Sequence, residues 1–225
     1  LVNQQIKQHP GLSLDPHARE MKRLKIQLLQ STLNTLPTGS NRRMEVIRQI
    51  LDLDPVNLAG LTESGWHFYH THDYDRAILF FQQLMALEPA NMDHVLGRGY
   101  SLYQLNRLDE AAALMAADQI TETQKILELK ALVYHALAQD ALARGDKAQA
   151  DIFMGVLEGL FDKTGSPAAA QQLLSLYRDG DTKKGWQLAR RLADQASPSL
   201  KSEAAAYYYN HNRPILASQT TDAPD

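Results

Sequence analysis

The chain has no cysteine. That rules out disulfides, thiolate metal sites and a cysteine nucleophile, and it fits a reducing compartment. Nor does it contain an unbroken apolar run of about 18 residues, the least that a membrane-spanning helix needs. No stretch alternates apolar and polar residues as a strand would. His-Glu-x-x-His, the phosphate-binding P-loop and Gly-x-Ser-x-Gly are all missing. The paired carboxylates Asp73/Asp75 and Asp179/Asp181 sit in turns, where capping accounts for them. No cofactor and no catalytic residue is therefore expected, and the expectation is a protein that is not an enzyme.

Charge is scarce in sum and uneven in place. The net charge of −3 over 225 residues implies no partner by itself. Residues 1–50, however, carry eight Lys/Arg against three Asp/Glu, and the remainder is acidic. The basic part centres on Arg19, Lys22, Arg23 and Lys25, with Arg42 and Arg43 further on. Met21, Leu24 and Leu28 at helical spacing supply an apolar stripe, so this reads as the solvated face of an amphipathic end helix. No aromatic is interleaved with the cations, which speaks against nucleic acid as a partner.

What the chain has is a repeat. Shifted by 34 residues it aligns with itself: Gly65 falls on Gly99, Ala77 on Ala111, Trp66 on Tyr100, Tyr69 on Tyr103, Asp75 on Asp109 and Pro55 on Pro89. A fixed period of that size marks stacked helix–turn–helix units. The small residues belong where two helices approach closely. Ile78-Leu79-Phe80-Phe81 and Leu84-Met85 are read as the packing surface of the second helix. Asp54-Pro55 and Glu88-Pro89 stop the second helices.

Gly65, Phe68, Tyr74, Ala77, Phe81 and Pro89 stand at the spacing of the tetratricopeptide repeat, which the chain resembles. The second copy keeps Gly99, Leu102, Leu108 and Ala111 but has Thr123 in place of proline. The resemblance implies an all-α, right-handed superhelix whose first helices line a concave surface. Over residues 58–120, the runs Tyr74-Asp75-Arg76-Ala77, Phe80 to Leu84 and Val95 to Tyr100 also resemble class II type III secretion chaperones, small cytoplasmic proteins that hold translocator subunits.

Taken in order, residues 1–15 read as a disordered segment and 16–57 as a degenerate capping helix pair. Residues 58–163 hold three repeats, the third with a longer first helix. Residues 164–198 form a degenerate fourth pair, and 199–225 a short helix with a disordered tail. A cytoplasmic location is expected. The chain begins at Leu1 rather than methionine, which leaves export open.

Two clusters invite a functional reading. His67, His70 and His72 with Asp73 hold possible metal ligands, but the spacing matches no strong signature, and no metal is expected. The aromatic residues carry more. Trp66, Tyr69 and His70 on one first helix, Leu96, Tyr100, Tyr103 and Gln104 on the next, and Tyr134 and Leu137 on the third repeat at the period. The resemblance places them in the concave groove. Inward Lys or Arg, which would grip a carboxylate, is missing: those places hold Ala59, Thr62, Trp66 and Asp93, Leu96, Tyr100. The expected partner is a protein, through an apolar or extended segment, and a homodimer is possible. Two roles follow: a cytoplasmic translocator chaperone, or a scaffold in a bacterial envelope, pilus or secretion assembly.

Overall fold

The computed structural model describes residues 15–37, 39–179, 182–194 and 198–210. Of the segment 1–15 expected to be disordered, residues 1–14 lie outside them, as do residues 211–225 of the expected C-terminal tail. Within the described residues there are eleven helices and no strand. The chain divides into two compact units, residues 1–89 and 90–225.

The first unit holds α1 (Pro16–Thr35), α2 (Asn41–Leu53), α3 (Leu58–His70) and α4 (Tyr74–Leu87). The second holds α5 (Met92–Gln104), α6 (Leu108–Met115), α7 (Gln124–Ala143), α8 (Lys147–Thr164), α9 (Pro167–Asp179), α10 (Thr182–Ala193) and α11 (Pro198–Asn210). Short polar side chains set the starts. Asp15, Ser40, Asn57 and Asp73 cap α1 to α4, and Asn91, Thr123 and Asp146 cap α5, α7 and α8, each accepting a backbone N–H of the first turn. The all-α class read from the sequence is the one observed among the described residues, with successive helices joined in pairs by short turns.

The turns repeat in atomic detail. His72, Asn106 and Gly145 occupy one place in three successive turns, with φ of 62°, 57° and 76°. In the first, the His72 N–H donates to the Tyr69 carbonyl and the Asp73 N–H to Phe68. Asn106 and Arg107 do the same to Tyr103 and Leu102, and Gly145 and Asp146 to Leu142 and Ala141. This pairing satisfies the last carbonyls of each first helix while turning the chain back on itself.

In the first unit, Leu33, Val46, Ile47 and Ile50 form one cluster and Leu61, Ala77, Phe81 and Leu84 a second, with Leu51 packed against both. The period is explained at the small residues. A Cβ on Gly65 would stand 3.1 Å from the Phe81 ring, and Ala77 is fully buried opposite. A Cβ on Gly99 would stand 2.6 Å from Leu129 of α7, so this glycine admits the first helix of the next pair. The core of the second unit runs from Leu127 through Leu157 and Leu173 to Leu192 and Tyr207.

Three expectations are corrected. Met21, Leu24 and Leu28 do not pack α1; they are 58%, 49% and 69% exposed, and α1 packs through Ile26, Leu29 and Leu33. Arg43 is not part of a solvated basic face, since its side chain is only 13% exposed. Of the run Ile78 to Phe81, Ile78 and Phe81 are buried while Leu79 is 65% exposed, because four consecutive residues point to all sides of a helix. In addition, α6 is short, ending at Met115 after eight residues.

Candidate functional site

In the first unit Trp66 is half-buried near the middle of α3. Its ring meets Phe81 edge-on at 5.0 Å and Tyr69 at 5.7 Å, and lies roughly parallel to His70 at 6.2 Å. These contacts hold the indole in one orientation. It lines a cleft of about 280 Å³ together with Thr62 and His70 of α3 and with Gly39 and Met44. Tyr69 is half-buried and its ring packs against Tyr74 at 5.5 Å.

Arg43, the one Lys or Arg among the residues lining this cleft, is committed elsewhere. Its Nη1 donates to the carbonyls of Leu33 and Leu36 at 2.7 and 2.9 Å, which caps the end of α1. Its Nε and Nη2 donate to Glu63 at 3.1 and 2.7 Å. The hydrogen-bonded Glu63 holds the guanidinium pKa above its usual value. A carboxylate entering the cleft would have to compete with Glu63 for this cation.

In the second unit Tyr100, Tyr103 and Tyr134 are half-buried and Gln104 is exposed. Tyr134 leans on Phe153 of α8 with centroids 6.1 Å apart. Leu96 and Leu137 are buried, so neither offers an open face to a partner. Their helices carry them inward because each lies one turn from a core position, Leu96 beside Val95 and Gly99, and Leu137 beside Val133 and Ala141.

Sequence reasoning missed the larger concavity of the first unit. A groove of about 700 Å³ runs between α2 and α4 over α3. Its apolar surface comes from Met44, Ile47 and Leu51 of α2, Leu61 and Phe68 of α3, and Phe80 of α4. Phe68 and Phe80 stack at 5.4 Å, and the Arg76 guanidinium lies 4.2 Å from the Phe68 centroid. Glu45, Arg48 and Asp52 stand along the α2 side, and Gln83 reaches from α4 to the Pro55 carbonyl at 3.3 Å. The signal for it was Leu79-Phe80. Two large apolar residues beside the buried pair Ile78 and Phe81 cannot all face one core.

The histidines have aromatic neighbours. His67 meets Phe68 edge-on at 5.5 Å, His70 lies against Trp66, and the His72 Nδ1 is 2.6 Å from the Tyr74 hydroxyl. Among the described residues, no group of three or more His, Asp or Glu is placed to hold a metal ion. No described helix is long and apolar enough to cross a membrane.

No protein-family model matches the chain, and no curated protein matches it by sequence. Solved structures do. One, from a study titled as the functional characterization of Pseudomonas aeruginosa PilF, aligns over 90% of this chain and 89% of its own, at 16% identity and a TM-score of 0.49. Another, PilW, described as a widely conserved type IV pilus biogenesis factor, aligns over 89% and 90%, at 14% identity and a TM-score of 0.44.

Proposed function

We propose that the protein is a protein-interaction scaffold in which half-buried aromatic side chains of α3, Trp66 above all, hold a segment of a partner. Trp66 carries the reading. It is a large amphipathic ring fixed by three aromatic neighbours, and it lines a cleft whose one Arg is already paired. A pre-oriented aromatic loses little entropy on binding and suits an anchor. An apolar or extended segment fits such a cleft better than a free carboxylate does.

Two roles remain for such a scaffold. One is a scaffold in an envelope, pilus or secretion assembly; of the solved structures named above, PilW is described as a type IV pilus biogenesis factor. The other is a type III translocator chaperone, a role that rests on the sequence resemblance alone. Likeness at TM-scores of 0.49 and 0.44 does not decide the role; a partner does.

The test is capture from a lysate of the source cells on the immobilised protein, with the bound proteins identified and the strongest one then titrated. Trp66→Ala should weaken it by about thirtyfold or more, the loss of one central anchor. Thr62→Glu puts a charge in the cleft without touching the core and should act in the same direction. Parental affinity in both variants, with helical content unchanged, would remove the cleft from consideration. A captured hydrophobic translocator would select the chaperone role, and an envelope or pilus component the scaffold.

A further inference from the structure

Two features of the first unit are not used by the Trp66 anchor, and each lacks what the other supplies. The first is the outer face of α1. Met21, Leu24 and Leu28 are exposed there, spaced by three and then four residues. That spacing continues through His17 before them and Ser31 and Thr35 after them, none of which is an Asp, Glu, Lys or Arg. It is the narrow seam by which one helix packs on another, and it is too narrow for a helix lying in a lipid surface. The helix is strongly cationic, with Arg19, Lys22, Arg23 and Lys25 against Glu20 alone.

The second feature is the groove between α2 and α4. Residues lining it run from Asn41 to Asp52 along α2, about 17 Å at the rise of a helix. An occupant must therefore be elongated. It must also satisfy most of its own backbone, because Met44, Ile47, Leu51, Leu61, Phe68 and Phe80 dominate the floor, and of the polar side chains among them Ser64 already gives its hydroxyl to the Gly60 carbonyl, which leaves His67. A helix meets both conditions; an extended strand does not. Leu79 and Leu87 lie one helical turn to either side of the groove-lining Gln83, and both are exposed, so the apolar surface continues past the rim. Of the charged residues on the α2 side, Arg48 is paired with Glu45 at 3.0 Å, and Asp52 adds a second carboxylate, which leaves that side net acidic; on the α4 side Arg76, over Phe68, is paired with Asp73.

We propose that the groove between α2 and α4 takes α1 of a second copy of this chain, with Met21, Leu24 and Leu28 on the apolar floor and the α1 cations along the Glu45/Asp52 rim. The contact is heterologous: different surfaces meet, one from each copy. Pairing of α1 with α1 would instead set two strongly cationic helices side by side. The groove adjoins the Trp66 cleft, sharing Met44 and His67 with it, but Leu24, Leu28, Glu45 and Asp52, on which the contact is tested, do not line that cleft.

The experiment is sedimentation of the untagged full chain, from about 5 to about 500 µM, since a one-helix contact belongs to the small, weak class of interfaces. Mass should rise with concentration. Leu24→Gln with Leu28→Gln removes the seam, and Glu45→Lys with Asp52→Lys reverses the rim. All four positions are exposed, so each variant should fold as the parent does, which circular dichroism checks. Each variant alone should stay monomeric. Mixed, they should associate, because the first keeps an intact groove and the second an intact α1. Arg23→Glu with Lys25→Glu, added to the rim variant, should restore its self-association. A parent that stays at 25.2 kDa throughout overturns the proposal. A parent that associates while the mixture of variants does not also overturns it, and points to another surface.

Discussion

Arg43 shows how far one residue can depart from its repeat while the fold stands. Shifted by 34, it falls on Ala77 and then Ala111, both fully buried small residues. By the logic of the repeat, Arg43→Ala restores the pattern and should stabilise. By the structure it should not. The guanidinium holds the carbonyls of Leu33 and Leu36 at the end of α1 and pairs two-pronged with Glu63 of α3. Removing it takes this donor from the Leu36 carbonyl and the Glu63 carboxylate in a half-buried place, while the Leu33 carbonyl keeps the Leu36 N–H. We expect a loss of about 1–3 kcal/mol in urea unfolding, the range for stranding such groups. A gain in stability would mean that the contacts do not hold in solution. The same residue marks a limit of the sequence. A cation among other cations reads as solvated surface, and only the position of the α1 carbonyls shows otherwise.

Among the elements, the helices and the turns between them were legible because their causes are local. Asp-Pro and Glu-Pro stops, polar caps and the 34-residue period each act within a few residues of the feature they create. Faces were harder to read. Helical spacing points to Met21-Leu24-Leu28 as the apolar stripe of α1, but α2 covers Ile26, Leu29 and Leu33 instead. The aromatic row on the first helices could be placed by period, yet Leu96 and Leu137 turned inward, since burial depends on neighbours that no period records. The glycines divide in the same way. Gly145 carries φ of 76° in a turn, whereas Gly155 and Gly159 lie within α8 with nothing near a prospective Cβ. Gly145→Ala should therefore cost about 1 kcal/mol, from the left-handed backbone. Gly155→Ala and Gly159→Ala should each add about 0.5–1 kcal/mol, from helix propensity and a less flexible unfolded chain. Chemical denaturation of the three single variants measures all of them. Opposite signs are the expected result, and equal signs would contradict the backbone assignment.

At the scale of the whole molecule, charge makes stability depend on pH in two separate windows. His135 on α7 is half-buried, and its Nε2 is buried with no hydrogen-bond partner among the described residues. Burial holds its pKa below the ordinary histidine value. The folded protein therefore keeps this ring neutral, while the unfolded chain takes up a proton near about pH 6.5. Below that point the unfolded state binds more protons, so stability is full above it and falls as pH drops toward the lowered folded value. The carboxylates act lower. Hydrogen bonds from Lys163 and Lys130 hold Glu122 below its usual pKa, Arg48 and Gln49 do so for Glu45, and Arg76 and Arg107 for Asp73 and Glu110. Their contribution is present above the unfolded carboxylate range, about pH 4–4.5, and is lost as pH falls through the folded values. Because these carboxylates are exposed or nearly so, the lower window should be shallow and should weaken with salt, while the upper one should not. His135→Leu separates the two. Between about pH 7.5 and 5.5 the parent should lose thermal stability and the variant should lose less, while below about pH 4.5 the two should fall in parallel. Parallel curves over the upper window would show that a group other than His135 sets the pH dependence there.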